Sequence, residues 1–336
     1  MIDSYPRMHP THPLNRENQF MDNTTTILGD VDPEVGQRLV SRREAIMRGA
    51  TAGSSVALGL AMASAPVAFA ALARDAFGQS TPATVQSVID FALMLEIFEK
   101  EFYSAVLGVS SSSAQNAAFA TVRAAAAAVP GAVAALQQIQ KHEAEHVAFL
   151  TANGAKNTLN LTADSFDFTG GQGSGTGPFA RATTELPFLL LVAQGAEDTG
   201  VRAYKGQAPN LQSNTVVLEA ALRIHSVEAR HASKIRRMRR MTGAPAVVKY
   251  SGTISGGGVA AAGADNISSP PAGAVTALNL IYAGEDNVMQ GGVDVSKLPN
   301  LPSGAGTAAA TEAFDEPLTR AQVVAIVQPF FKVAIS

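Results

Sequence analysis

The sequence predicts an all-α protein: an antiparallel four-helix bundle with a long crossover connection, followed by a mostly irregular C-terminal extension. Four long segments carry apolar residues at three- and four-residue spacing, which is typical of helices packed on one face. The connections after the first and third segments are short, whereas the one after the second is long and rich in glycine. That order of connections is typical of two helical hairpins joined by a crossover.

The ends of the helices are marked by residues with known helix-start and helix-stop preferences. The first long helix is expected to stop at Gly108. The fourth is expected to begin at Ser213 or Asn214, whose side chains cap helix N-termini, and to end before Pro245. The long helices are predicted over 82–107, 131–152, 184–204 and 213–243, and a shorter alanine-rich helix over 113–128.

Residues 1–70 are predicted to be an export signal. Arg42 and Arg43 lie in a short basic stretch that ends at Arg48, and the run that follows is apolar and uncharged. The Ala-Phe-Ala sequence at 68–70 has the form of a small-residue cleavage site, and paired arginines are typical of the twin-arginine route. We therefore expect a periplasmic or extracellular protein that contacts a membrane only through this signal. A permanent membrane anchor is the alternative.

The composition excludes several classes of partner and site. The net charge of −3 over 336 residues offers no electrostatic basis for nucleic-acid binding. Because the chain contains no cysteine, disulfides, thiolate metal sites and iron–sulfur clusters are excluded, and any metal must be held by oxygen and nitrogen ligands.

Residues 244–336 are rich in Gly, Ala, Pro and Ser, and we expect only short helices there, near 272–282 and 320–331. We expect this extension to wrap around the bundle or to contact another subunit of a homo-oligomer.

Glutamate, histidine and tyrosine interrupt the apolar stripes of the long helices in a repeating order. In the first and third long helices a glutamate precedes a tyrosine by seven residues, and in the second and fourth a glutamate precedes a histidine by three. Both spacings place the two side chains on one helix face. The pairs are Glu96 and Tyr103, Glu143 and His146, Glu197 and Tyr204, and Glu228 and His231. Random placement would produce only about 0.3 Glu-x-x-His matches, so two on apolar stripes form a specific signal.

This pattern predicts a site for two metal ions. An unpaired buried carboxylate is costly, and four in one core repel one another. Two divalent cations would neutralise four carboxylates, and two imidazoles would complete the ligation, an arrangement used by two-metal sites in helix bundles. Oxygen and imidazole ligands with open positions favour iron or manganese. On such a fold, Tyr103 and Tyr204 would donate hydrogen bonds that orient ligands on the opposite hairpin.

The segments around these residues resemble the ferritin-like domain family, which includes exported bacterial proteins and plant desiccation-related proteins. Residues 95–103, 142–146, 197–204 and 227–231 carry the resemblance, and the domain that it covers is 82–243. The resemblance implies metal ligands at Glu96, Glu143, His146, Glu197, Glu228 and His231.

The wider superfamily includes ferritins, rubrerythrins and manganese catalases. The resemblance therefore implies that the reaction partner is a small oxidant, O₂ or a peroxide, and that the chemistry is of the ferroxidase, peroxidase or catalase type. It also suggests a role in oxidative or desiccation stress. The alternative is a non-enzymatic metal-binding protein with a structural or stress-protective role, which the low-complexity extension favours. The chain lacks a recognisable fifth bundle helix, which argues against the cage assembly of true ferritins.

Three residues near the predicted ligands have roles that the pattern leaves open. Glu99 shares the inward face with Glu96; the spacing to Tyr103 favours Glu96 as the ligand, and Glu99 is either the ligand in its place, an additional ligand or a neighbour of the ligands. His142 and His225 occupy no matching positions in the repeat, and we expect them at the surface or hydrogen-bonded beside the ligands.

Other charged residues are expected to face solvent. Glu101 and Glu145 lie off the ligand positions and are predicted to be solvated. Asp198 either supports a histidine or arginine or is exposed. The cations around Arg236 are predicted to form a solvated helix end, where positive charge is favourable.

Overall fold

The computed structural model describes residues 85–243, 271–299, 301, 310 and 313–336. The export signal predicted over 1–70 and the first part of the C-terminal extension, 244–270, lie outside these residues. None of the helices in the described part of the chain combines the length and the hydropathy needed to span a bilayer.

The described residues are mainly helical, and their one sheet is a two-stranded antiparallel hairpin in which Met289 pairs with Asp294 and Gln290 with Val293. The helices are α1 (Val85–Leu107), α2 (Ser113–Ala118), α3 (Ala120–Ala127), α4 (Ala132–Ala152), α5 (Leu186–Gln207), α6 (Thr215–Met241), α7 (Ala272–Ile281) and α8 (Arg320–Val327), and the strands are β1 (Met289–Gln290) and β2 (Val293–Asp294).

Helices α1 and α4 form the first antiparallel hairpin of a four-helix bundle. The Gln86 side chain, at the start of α1, donates to the carbonyl of Gly154, just beyond the end of α4, at 2.9 Å. Further along α1, the Ser104 hydroxyl accepts from Gln140 in the first half of α4 at 3.2 Å. The residue numbers therefore increase in opposite directions along the two helices.

Helices α5 and α6 form the second antiparallel hairpin. Gln194, in the first half of α5, accepts from Arg239 near the end of α6 at 2.7 Å. Val201, later in α5, contacts His225 early in α6 at 3.0 Å. The crossover 153–185 joins the two hairpins, so the predicted all-α bundle with a long crossover is confirmed.

The chain after the bundle crosses the outer side of α5. The backbone N–H of Leu318 donates to the carbonyl of Arg202 at 3.1 Å. A Cβ at Gly206, one turn later, would lie 1.8 Å from the Leu318 carbonyl oxygen. Only glycine at this helix position lets the two backbones approach so closely.

The C-terminal end also packs on the crossover and on α1. The Asp167 backbone N–H donates to the Phe330 carbonyl at 2.8 Å, and Phe166 and Phe331 form an isolated antiparallel bridge. The Phe98 ring lies 5.5 Å from the Phe330 ring and 5.8 Å from those of Phe166 and Phe331. These aromatic contacts cover one side of the bundle, as offset and edge-on rings pack favourably.

Most helix bounds agree with the pattern in the sequence, and one segment differs. Asn214 caps α6, and its side chain accepts from the backbone of Val217 at 3.1 Å, as the sequence predicts. The single helix predicted over 113–128 is two helices, because the chain turns at Phe119. The Phe119 ring is 1 % exposed and packs edge-on against Phe102, so its burial outweighs the high helix propensity of the flanking alanines.

Candidate metal centre

Four glutamates and two histidines from the four long helices meet inside the bundle. Each long helix supplies one glutamate, and the two helices with the Glu-x-x-His spacing also supply the histidines. The four glutamates are 0 % exposed, His146 is 9 % exposed and His231 is 4 % exposed. The residues are Glu96 on α1, Glu143 and His146 on α4, Glu197 on α5, and Glu228 and His231 on α6.

The six side chains form two overlapping groups, each with ligand atoms within 4.8 Å of one another. The first group combines Glu96 and His146 with Glu143 and Glu228, and the second combines Glu197 and His231 with the same two glutamates. Each group therefore has one glutamate and one histidine of its own.

Glu143 and Glu228 each direct one carboxylate oxygen to each group. His146 Nδ1 lies 3.1 Å from Glu143 Oε2 and 3.1 Å from Glu228 Oε1. His231 Nδ1 lies 2.8 Å from Glu143 Oε1 and 3.4 Å from Glu228 Oε2. These two carboxylates have the orientation of bridges between two ions.

Two tyrosines connect the hairpins on either side of this cluster. The Tyr103 hydroxyl, on α1, donates to Glu197 Oε1 on α5, and the Tyr204 hydroxyl, on α5, donates to Glu96 Oε1 on α1. Both rings are buried. Each tyrosine leaves the other oxygen of its glutamate directed towards a histidine, Glu96 Oε2 at 3.0 Å from His146 and Glu197 Oε2 at 3.3 Å from His231.

Glu99 lies beside the cluster but belongs to neither group. It is 4 % exposed, and a Cβ at Gly200 would lie 3.2 Å from its Oε1 and 3.8 Å from Glu228 Oε2. Burial, and then the charges of Glu228 and the other glutamates, raise the pKa of Glu99 well above its usual value. Gly200 thus makes room for a fifth, protonated carboxyl group, and a lone glycine within a helix offers no sequence signal for this role.

The two histidines carry positive charge in the absence of metal. Burial alone would lower the pKa of both rings. Each histidine, however, contacts three carboxylates, and these contacts raise the pKa of His146 and of His231 to about 12. Two imidazolium ions therefore compensate part of the carboxylate charge.

The pKa values of the carboxylates in the cluster shift in opposite directions. Burial, with the charge of Glu228, raises the pKa of Glu143 well above its usual value, and burial raises that of Glu197 to about 7. Burial opposes the ionisation of Glu228 too, but its contacts with His146 and His231 outweigh this and lower its pKa to about 2. Glu143 and Glu228 titrate as a pair, and burial together with their mutual repulsion disfavours ionisation of both at once.

Several atoms that face the centre of the cluster have no hydrogen-bond partner among the described residues. They are Glu143 Oε1, Glu197 Oε2, both carboxylate oxygens of Glu228, and His231 Nδ1. These carboxylate oxygens lie within ion-pair distance of the histidine Nδ1 atoms but lack hydrogen-bond geometry. Native proteins seldom keep several such buried atoms together unless another group satisfies them. A convergent set of oxygen and imidazole atoms fits divalent cations such as iron or manganese.

His142 lies directly behind one histidine of the cluster. Its Nδ1 is 2.9 Å from His231 Nε2, and its Nε2 is 2.6 Å from the Gln138 side chain. This contact holds the His231 ring with its Nδ1 towards the carboxylates, as outer hydrogen bonds do for metal-binding histidines. His225 instead contacts the Val201 carbonyl at 3.0 Å, outside the cluster.

The expectation that Glu101 faces solvent is wrong. Glu101 is 8 % exposed and pairs with Lys100 at 2.8 Å, and the positive charge of the lysine offsets the cost of burying the carboxylate. Glu145 is exposed, as expected, and lies 3.7 Å from Lys141.

The expected solvated helix end is also wrong for two of its arginines. Arg236 pairs with Asp198, and Arg239, 3 % exposed, donates to Gln194 at 2.7 Å. The Tyr282 hydroxyl, from the end of α7, donates to Asp198 at 2.6 Å. The C-terminal extension packs beside these residues, so Arg239 is buried and Arg236 is half-buried and paired with a carboxylate, and neither is fully solvated.

Comparison with known proteins agrees with this architecture. The family model described as "Ferritin-like domain" matches residues 84–241. This segment is a ferritin-like domain. Searches of curated proteins and of solved structures each returned no significant match. The matched segment contains all six residues of the cluster as well as Tyr103 and Tyr204.

Proposed function

We propose that the ferritin-like domain binds two divalent ions, iron or manganese, and uses them for redox chemistry with O₂ or a peroxide. The observation that supports this proposal best is the pair Glu143 and Glu228, whose oxygens divide between the two groups of ligand atoms. A single-ion site or a metal-free hydrogen-bonded network would not require both carboxylates to face two centres at once.

The choice of metals follows from the ligands. The chain has no cysteine, and each group offers three carboxylates and one imidazole, a hard set with room for an exogenous ligand. When bound, iron or manganese would supply changes of oxidation state to the reaction with O₂ or a peroxide.

The protein's own residues prepare and shield this site. Tyr103 and Tyr204 fix the orientation of Glu197 and Glu96, and the bundle excludes bulk water from the four glutamates. His146 and His231 must each lose a proton before Nδ1 can bind a cation. Burial and the neighbouring carboxylates raise the pKa of Glu99, which favours its neutral form beside the ligands.

The proposed place of action is the periplasm or the extracellular space. The support is the sequence of residues 1–70, with its paired arginines and apolar run. The twin-arginine route exports folded proteins, which suits a site that is filled before export. A role in oxidative or desiccation stress follows from the family resemblance.

The test is metal content and oxidant consumption of purified protein, compared among variants. Glu143→Ala and Glu228→Ala each remove a bridge, and Glu145→Ala removes an exposed glutamate two residues from Glu143 as a matched control. We expect two ions per chain and metal-dependent consumption of O₂ or peroxide in the wild type and in the control, and loss of both in the bridge variants.

Two results would decide against the proposal. Fewer than two ions per wild-type chain under saturating iron and saturating manganese would exclude the two-metal site. Two bound ions without consumption of either oxidant would exclude the enzyme and leave the non-enzymatic metal-binding protein as the function.

A further inference from the structure

A cavity of about 80 Å³ opens at one end of the bundle, next to the cluster of metal-binding residues. It is lined by all four long helices, at the start of α1 and α6 and the end of α4 and α5. Its rim includes Phe149 and Val216, which are 43 % and 77 % exposed. Large apolar side chains at a rim make an entrance that water does not favour.

The inner end of the cavity lies one helical turn from the cluster on three helices. Ala92 precedes Glu96 by four residues, Leu150 follows His146 by four, and Ile224 precedes Glu228 by four, and all three line the cavity. Four residues along a helix correspond to about 6 Å. The cavity therefore ends against the Glu96 and His146 half of the cluster.

Tyr204 forms the boundary between the cavity and the cluster. It lines the cavity, and its hydroxyl donates to Glu96 Oε1. A molecule in the cavity would contact the ring of Tyr204 on one side, while the hydroxyl on the other side remains bound to the glutamate.

The lining defines the chemistry of what the cavity can hold. None of the described residues that line it carries a charge, and the polar side chains among them are Asn153, Tyr204 and Gln207. The Tyr204 hydroxyl is already committed to Glu96. Such a lining offers few hydrogen-bond partners to an ordered water and favours contact with apolar molecules.

We propose that this cavity binds an uncharged apolar organic molecule, such as a short alkyl chain or an aromatic ring, beside the metal centre. A volume of 80 Å³ is several times the roughly 10–15 Å³ that one water requires, and about half of the roughly 150 Å³ cavity that holds benzene. An organic ligand would therefore place one apolar end in the cavity and leave the rest at its open mouth. Packed interiors have few such voids, and this one is placed against a functional cluster. The cavity itself is independent of the proposed function, but its position next to bound metal rests on that function.

The experiment measures binding of 1-octanol and toluene by titration calorimetry, first to metal-free protein. Ala221→Phe and Ala220→Leu fill the cavity from α6, and Ala134→Phe places the same ring at an exposed position on α4 as a control. We expect one bound molecule per chain for wild type and control, and at least tenfold weaker binding for both filled variants. Ala220 is only half-buried, so its variant remains informative if Ala221→Phe does not fold.

Proximity to metal is measured by NMR on protein loaded with Mn²⁺ or with Zn²⁺. Paramagnetic Mn²⁺ should broaden the resonances of bound 1-octanol, and Zn²⁺ should not. Absence of binding, equal binding by the filled variants, or no broadening with Mn²⁺ bound would overturn the inference. If the protein binds neither ion but 1-octanol still distinguishes wild type from filled variants, the proposed function fails and the apolar site stands.

Discussion

Loading the metal-free protein with two Mn²⁺ ions at pH 7 should release at least two protons per chain. Contacts with carboxylates raise the pKa of His146 and of His231 to about 12, so both rings are fully protonated at pH 7. Each ring must lose a proton to offer Nδ1 to a cation. The histidines therefore contribute two protons.

The carboxylates add to this number. The pKa of Glu143 is well above its usual value because of burial and the charge of Glu228, so Glu143 contributes up to one more proton. Burial raises the pKa of Glu197 to about 7, so this residue is half protonated at pH 7. The expected total is therefore at least two, and release of two protons alone makes the apparent association constant rise about 100-fold per pH unit.

The assay is titration calorimetry at pH 7 in several buffers that differ in their enthalpy of ionisation. The slope of the observed heat against that enthalpy is the number of protons released. The control is His225→Gln, because burial lowers the pKa of His225 and this residue lies outside the cluster, so its loss should not alter the number. Release of fewer than two protons by the wild type would refute the assignment of two imidazolium rings facing the carboxylates.

Three further predictions concern stability and the residues around the site. Without metal, the free energy of unfolding should fall from pH 7 to pH 9. The reason is that the pKa of His146 and of His231 is about 12 in the folded state and about 6.5 in the unfolded state. The stabilisation by the two charged rings is therefore complete below about pH 6.5 and is lost as the pH rises towards 12. Urea unfolding in chelator measures this, and a rise over that interval would contradict it. Tyr103→Phe removes the hydrogen bond to Glu197, and under the proposed function it should weaken metal binding about 10–100-fold in chelator competition, with little change in the fold. Unchanged affinity would show that the tyrosine does not orient Glu197 for metal binding. Arg202→Met removes the ion pair of 3.2 Å with the buried carboxylate of Glu285, which keeps its hydrogen bond from the Glu316 N–H, and also removes the donors to the carbonyls of Glu316 and Ala283. It should cost about 3–5 kcal/mol in urea unfolding, whereas a loss below about 1 kcal/mol would mean that these contacts contribute little.

The bundle could be predicted because its signals are local. The apolar stripes, the glycine stops and the Asn214 cap act within a few residues, and the structure has helices at these places. The break at Phe119 could not be predicted, because it depends on where Phe102 of another helix offers a surface to the ring. The helix propensity of the alanines favours one continuous helix, whereas the packing of Phe119 on Phe102 divides the segment into two helices.

The residues of the candidate site divide in the same way. Glu-x-x-His and Glu-to-Tyr spacings marked the side chains that share a helix face. The same patterns contain no information on His142 behind His231, on Gly200 beside Glu99, or on the burial of Asp198. These positions are determined by which helices pack together and by which faces the C-terminal extension covers.

The sequence by itself determined the helical segments, the six inward-facing carboxylates and imidazoles, and the absence of thiolate chemistry, because periodicity and composition are properties of the chain alone. Only the tertiary structure decided that Glu143 and Glu228 face two centres, that each tyrosine bonds a glutamate of the other hairpin, and that an apolar cavity ends at Tyr204. These features depend on the rotation and axial offset of one helix against the next. Those quantities are fixed by packing among residues far apart in the chain, which no local pattern records.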